Sequence, residues 1–307
     1  MPETAGASPQ QTAGRDGEDG PQAFLIHTAD GVELSGEQAG SGKPVVLLHG
    51  LTASRRYVVH GSRALERSGH RVIAYDARGH GRSSPPPGGA TRVAGESAPY
   101  GYRRLSADLK AVLDATGVQR AVLAGVSMGS HTIIRFALEH PERVAALAII
   151  TPAYDPTNTN GAQTLASWDV LAHGLRERGI EGFIDAYELD ILPESMRATV
   201  ATVIRQRLAL HEHLDAVADA LEAVPRSRPF GALEELAAIS VPTVVVVSRD
   251  EFDPRHPLAV GENYARTILD AQLRVEAEGA SPLAWQGGQV SKIIAELAGR
   301  ASSSSIG

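Results

Sequence analysis

The stretch AVLAGVSMGSHTIIRFALEH, residues 121–140, decides how this chain folds. Its first six residues are an almost unbroken apolar run, which suits a strand covered on both faces. Its last thirteen, from Met128, carry a helical pattern. Between them stands Gly125-Val126-Ser127-Met128-Gly129, a G-x-S-x-G at a strand-to-helix turn. Five residues with three fixed recur often by chance, and an incidental serine in a Gly-rich turn would look the same. The strand before and the helix after make the pattern specific. Such a turn is tight enough to force the serine into a strained backbone conformation, and glycines on either side remove the Cβ atoms that would obstruct it. The Met128 N–H then opens a helix, where the dipole favours negative charge.

Outward from this point, short apolar runs alternate with longer amphipathic ones. Strands are predicted at Ala23–Thr28, Val32–Glu37, Pro44–His49, Arg71–Asp76, Ala121–Val126, Val144–Thr151, Thr243–Ser248 and Gln272–Glu276. Helices are predicted at 55–68, 102–116, 128–140, 257–269 and 288–299. The order predicts an α/β fold with a mostly parallel, doubly wound sheet. One gap breaks the rhythm. Between Thr151 and Val241 no strand-like run occurs, only a polar loop and then helical pattern. The expected organisation is therefore a tail over 1–22, a core over 23–152 and 236–300, a helical cap over 153–235 inserted between core strands, and a second tail over 301–307. The first 22 residues lack a charged start and an apolar stretch, so a disordered tail rather than a signal peptide is expected there.

Composition excludes several functions. A net charge of −7 with no basic block argues against nucleic acid and against an anionic membrane surface. No apolar run reaches the ~18–20 residues of a membrane span. The chain of 307 residues has no cysteine, which removes disulfides, thiolate metal sites and cysteine nucleophiles, and is compatible with a cytoplasmic location. The eleven histidines show no H-x-x-x-H spacing, so no metal and no cofactor are expected, only a small-molecule substrate. Oligomeric state is left open.

The chain resembles the α/β-hydrolase superfamily over roughly residues 23–300. His49-Gly50-Leu51 after the run PVVLL resembles the family's oxyanion loop, and Tyr75-Asp76-Ala77-Arg78-Gly79-His80-Gly81-Arg82-Ser83 its D-x-R-G-x-G-x-S loop, usually structural. The resemblance implies Ser127 as nucleophile and the Leu51 and Met128 N–H groups as oxyanion donors. It implies an acid after the seventh core strand, where VPTVVVVSRDEFDP offers Asp250 first, with Glu251 and Asp253 as alternatives. It also implies a histidine after the last strand, in a stretch resembling G-A-S-H-L-A. This chain has Gly279-Ala280-Ser281-Pro282-Leu283-Ala284-Trp285, with Pro282 at the histidine position. Proline carries no titratable group and cannot take the serine proton.

The replacement base must come from elsewhere, because no histidine follows His256. His27, His60, His70, His140 and His173 read as solvent-facing, His49 and His80 as structural, and His131 as packed near the sheet. Residues Val200–Leu221 are predicted as one amphipathic cap helix. At about 100° per residue, Arg207 and His211 fall within its apolar stripe. Two polar residues there need partners or a polar cavity. His211 is therefore the first candidate base, with Arg207 and Trp285 as substrate-binding residues. His256, in the loop Asp253-Pro254-Arg255-His256-Pro257, is the second, expected as a solvated loop histidine. Three functions stay open: a serine hydrolase of an ester, lactone or thioester with an atypical triad; a lyase, isomerase or cyclase using the oxyanion hole; and a ligand-binding protein with a degenerate site.

Overall fold

A computed structural model of the chain describes residues 20–88, 98–158, 161–249, 255–277 and 285–303. The chain runs β1 (Gln22–His27), β2 (Glu33–Ala39), β3 (Lys43–Leu48), α1 (Ala64–Arg67), β4 (His70–Tyr75), α2 (Tyr102–Ala115), β5 (Ala121–Val126) and α3 (Met128–Glu139). It continues through β6 (Val144–Ile150), α4 (Gly161–Ala186), α5 (Glu194–Leu208), α6 (Leu214–Ala223), β7 (Thr243–Val247), α7 (Leu258–Thr267), β8 (Ala271–Val275) and α8 (Gly287–Ser303). The eight strands form one sheet in the order β1-β2-β4-β3-β5-β6-β7-β8. β2 lies antiparallel to β1 and β4, and every other pairing is parallel.

The apolar runs work as double-faced strands. Along β3, Val46 and Leu48 pack on the face covered by α2, α3 and α7, while Val45 and Leu47 pack toward α1 and α8. β5 divides in the same way, with Leu123 on one face and Val122 and Ala124 on the other. Burial on both sides is why these segments show no polar alternation. Buried Arg78 ties the loop after β4 to α2, with Nε 2.7 Å from Asp108 Oδ2 and Nη1 2.9 Å from Asp30 Oδ2.

Two predicted helices are broken. The span 55–68 becomes a 3-10 turn at Arg55–Tyr57 followed by α1, because His60 between them takes φ 46°. The span Val200–Leu221 is α5 and α6 with a turn at 209–213. There the Glu212 N–H leaves the helical ladder and donates to Gly81 O at 2.9 Å. The helical segment between β6 and β7 has its own apolar core, including Leu171, Leu175, Phe183, Ile204, Leu208, Val217 and Leu221. It meets the sheet domain at Leu51 and Met128: Leu51 packs against that core, and Met128 packs with Ala216 and Ala220 of α6.

Candidate active site

The turn between β5 and α3 holds Ser127 at φ 51°, ψ −111°, a conformation L-residues rarely adopt. Strain of this kind costs about 1–3 kcal/mol and persists only where the surroundings impose it. They do so here. The Ser127 N–H donates to Ile150 O at 2.9 Å, and its carbonyl accepts from His131 N at 3.1 Å and Ser130 Oγ at 2.6 Å. The flanking glycines are required by space. A Cβ on Gly125 would stand 2.3 Å from the Gly129 carbonyl carbon, and one on Gly129 2.2 Å from Leu48 O. Without side chains at both positions, α3 starts directly against β3 and lifts the serine to the carboxyl end of the sheet.

His256 lies in the turn between β7 and α7, with Nε2 2.8 Å from Ser127 Oγ. The two residues come from strands separated only by β6, so both turns open on one crevice at the carboxyl ends of the strands. A hydroxyl at this distance from an imidazole can hand over its proton as it attacks a carbonyl.

His211 is placed otherwise than its sequence position suggests. It lies in the turn after α5, buried, and both ring nitrogens bind main chain. Nδ1 accepts the Gly81 N–H at 2.7 Å, so the ring proton sits on Nε2, which donates to Thr52 O at 3.0 Å. A ring so committed has no nitrogen left for a serine. The apolar periodicity of Val200–Leu221 runs through the turn at 209–213, so it does not set the direction of His211. Conversely, His256 is no solvated loop residue. The available signal was its place just beyond β7, on the crevice that β5 also feeds.

Leu51 follows β3 and Met128 is the first residue of α3. Among the described residues, neither N–H is engaged by another group. The Leu51 loop is held from below. Thr52 takes φ 64°, Ala53 N donates to Gly50 O at 3.1 Å, and His49 bridges with Nδ1 2.8 Å from Gly50 O and Nε2 accepting Ala77 N at 2.9 Å. The rings of His49, His80 and His211 stand in a row, with centroids 5.2 and 5.5 Å apart. His131 is a further buried strut: Nε2 accepts the Ala153 and Tyr154 N–H groups, both at 3.1 Å, and Nδ1 bonds the Tyr102 hydroxyl at 3.0 Å. Burial lowers the pKa of all four, that of His211 to about 4 and that of His131 to about 3. His70, expected to face solvent, is buried as well, its Nδ1 3.2 Å from Leu65 O.

A cavity of about 320 Å³ opens beside Ser127 and His256. Arg207 and Trp285 both line it, and the Trp285 indole N–H donates to Val247 O at 3.2 Å. Its apolar wall comes largely from the inserted helices, including Leu171, Phe183, Met196 and Ile204. The sequence candidates Asp250, Glu251, Asp253 and Pro282 lie outside the described residues. Among the described residues no group of three or more His, Asp or Glu side chains could hold a metal ion, and no helix is long and apolar enough to cross a membrane.

Residues 43–179 match the profile of a family described as having the alpha/beta hydrolase fold. The chain is 31% identical over 241 residues to 2-hydroxy-6-oxononadienedioate/2-hydroxy-6-oxononatrienedioate hydrolase 2 of Pseudomonas putida, covering 73% of this chain and 77% of that one. It is 27% identical to the AB hydrolase superfamily protein YisY of Bacillus subtilis, over 81% of this chain and 88% of that one. Among solved structures, a thermophilic esterase from Thermogutta terrifontis superposes with a TM-score of 0.70 at 27% identity, covering 91% of this chain and 99% of the esterase.

Proposed function

Because the chain belongs to the α/β-hydrolase family, we propose that it is a serine hydrolase of a small-molecule ester, lactone or thioester whose base is His256. Ser127 Oγ attacks the substrate carbonyl while His256 Nε2 takes its proton. The Leu51 and Met128 N–H groups receive the oxyanion, and Met128 adds the positive end of the α3 dipole. Collapse of the tetrahedral intermediate expels the alcohol or thiol, which takes its proton from His256. Water then attacks the acyl-serine, with His256 again the base. Asp250, which lies between β7 and His256 in the sequence, is proposed as the carboxylate that orients the imidazole; its support is that place in the sequence. Acid and base would then both come from the sequence between β7 and α7, and no histidine is needed at position 282. The helices of residues 153–235 act as a cap, because they form the apolar wall over the serine.

The observation that carries this reading is the 2.8 Å contact between His256 and Ser127. It supports hydrolysis over a lyase or isomerase reaction, in which the serine need not be activated, and over a ligand-binding protein. The test is labelling with a fluorophosphonate. We expect the full chain to be labelled, Ser127→Ala to be inert, and His256→Ala to react at least about 100-fold more slowly. Equal labelling of the His256→Ala protein would remove His256 from the mechanism, and an unlabelled parent would remove the serine.

A further inference from the structure

We propose that this site takes a substrate bearing a carboxylate, and that Arg255 is the residue that receives it. The proposal rests on the hydrolase reading for the reacting carbonyl but not for the anion contact. Arg255 precedes His256 in the chain and lines the same cavity. Its guanidinium carbon stands 4.9 Å from the ring centre of Trp168 in α4 and 5.5 Å from that of Tyr187 just beyond it. The guanidinium carbon thus stands over both aromatic rings. The five N–H donors point outward in the plane, where a carboxylate binds side-on through two parallel hydrogen bonds.

Among the described residues no carboxylate lies within ion-pair distance of Arg255, although the inserted segment is rich in carboxylates. In the inserted segment Arg176 pairs with Asp219, Arg178 with Asp185, Arg197 with Asp190, Arg205 with Glu181 and Arg226 with Asp169. The cavity differs from the surface around it. Its described lining contains Arg207 and Arg255 and no aspartate or glutamate, in a chain whose net charge is −7. A cation beside aromatic rings in a largely apolar cavity is weakly screened, and an anion entering beside it gains more than it would at the surface. Because Arg255 adjoins His256, the anion it holds is fixed relative to the carbonyl at Ser127. The contact therefore orients the substrate as well as retaining it. The remaining apolar wall suits the hydrocarbon part of the same molecule.

The experiment reads binding apart from turnover. Calorimetry on the full chain compares glutarate with its uncharged analogue glutaramide. We expect glutarate to bind about 10- to 100-fold more tightly, the worth of a charge-assisted hydrogen-bonded pair, and Arg255→Met to erase the difference. Arg255→Lys, which keeps the charge and loses the fork, should retain part of it and serves if the methionine variant does not fold. Equal binding of the two compounds by the parent, or a glutarate preference that survives Arg255→Met, overturns the proposal and leaves Arg255 as a packing residue under the cap. Turnover of nitrophenyl hydrogen glutarate against nitrophenyl valerate separates the two readings. Ser127-dependent hydrolysis of both esters with no glutarate preference overturns the carboxylate site alone. Arg255-dependent glutarate binding by a protein that hydrolyses neither ester overturns the hydrolase reading alone.

Discussion

His256 Nε2 lies 2.8 Å from Ser127 Oγ across 129 residues of chain. The contact arises because β5 and β7 are both parallel strands flanking β6, so the turns that leave them open on the same side. Ser127 is fixed by strain and close packing, His256 by the start of α7 two residues on. A base on this turn is compatible with a proline at position 282.

Replacing His256 by alanine is expected to lower turnover of a nitrophenyl ester by about 10²–10⁴-fold, the usual worth of a general base. The thermal midpoint should move little, since the side chain is only part-buried. Steady-state rates and a melting curve on the same preparation check this. A rate within twofold of the parent would exclude His256 as base.

His211→Ala should show the opposite balance. The substitution leaves the Gly81 N–H and the Thr52 carbonyl without their partners. Each buried polar group so stranded costs about 1–3 kcal/mol. Stability should fall clearly, while the rate falls less than in His256→Ala and through the loosened Leu51 loop. A rate loss equal to that of His256→Ala at unchanged stability would return His211 to the role of base.

The sheet was legible because its strands carry their own pattern: runs such as VVLL and TVVVV have one reading when both faces are covered. Ser127 was legible for a related reason, since Gly125 and Gly129 mark where two elements must nearly touch. The base was not. A histidine finds its serine through the closure of distant turns, and nothing local distinguishes His256 from a solvated residue. For His211 helical periodicity extends through 209–213 in the sequence, whereas the chain there breaks to bond Gly81 and Thr52. Nothing local marks Arg255, because its aromatic neighbours, Trp168 and Tyr187, lie far away in sequence.

Gly129→Ala should damage the site through packing. The added methyl would stand 2.2 Å from Leu48 O, a main-chain atom of a central strand that cannot swing aside. Overpacking of this kind costs about 1–3 kcal/mol or more. Moving α3 away from β3 also displaces Ser127 and the Met128 N–H together. Fluorophosphonate labelling and the thermal midpoint should therefore both fall. Full labelling at the parent's rate would show that the elbow tolerates a wider turn.

Stability should fall on mild acidification, and the sign follows from the buried histidines. His131 is held down to about 3 and His211 to about 4, both chiefly by burial, and His49 and His80 are lowered as well. Geometry agrees, because protonating Nδ1 of His211 would set its new N–H against that of Gly81. An unfolded chain protonates these rings near pH 6.5. Below that value it binds more protons than the folded protein, so stability is full above about pH 6.5 and is lost as pH falls toward the folded values. Each ring kept neutral contributes a slope of about 1.4 kcal/mol per pH unit in that window. Asp30, with a lowered pKa, loses its contribution only below the ordinary carboxylate range, and Asp108, with a raised one, acts in the opposite sense. The thermal midpoint is expected to drop by about 5 °C or more between pH 7 and pH 5. His211→Gln should flatten that slope by one ring's share, since glutamine can bond both neighbours without titrating. Equal midpoints at pH 7 and pH 5 would mean that the buried rings are charged in the folded protein, against the hydrogen bonds that hold them.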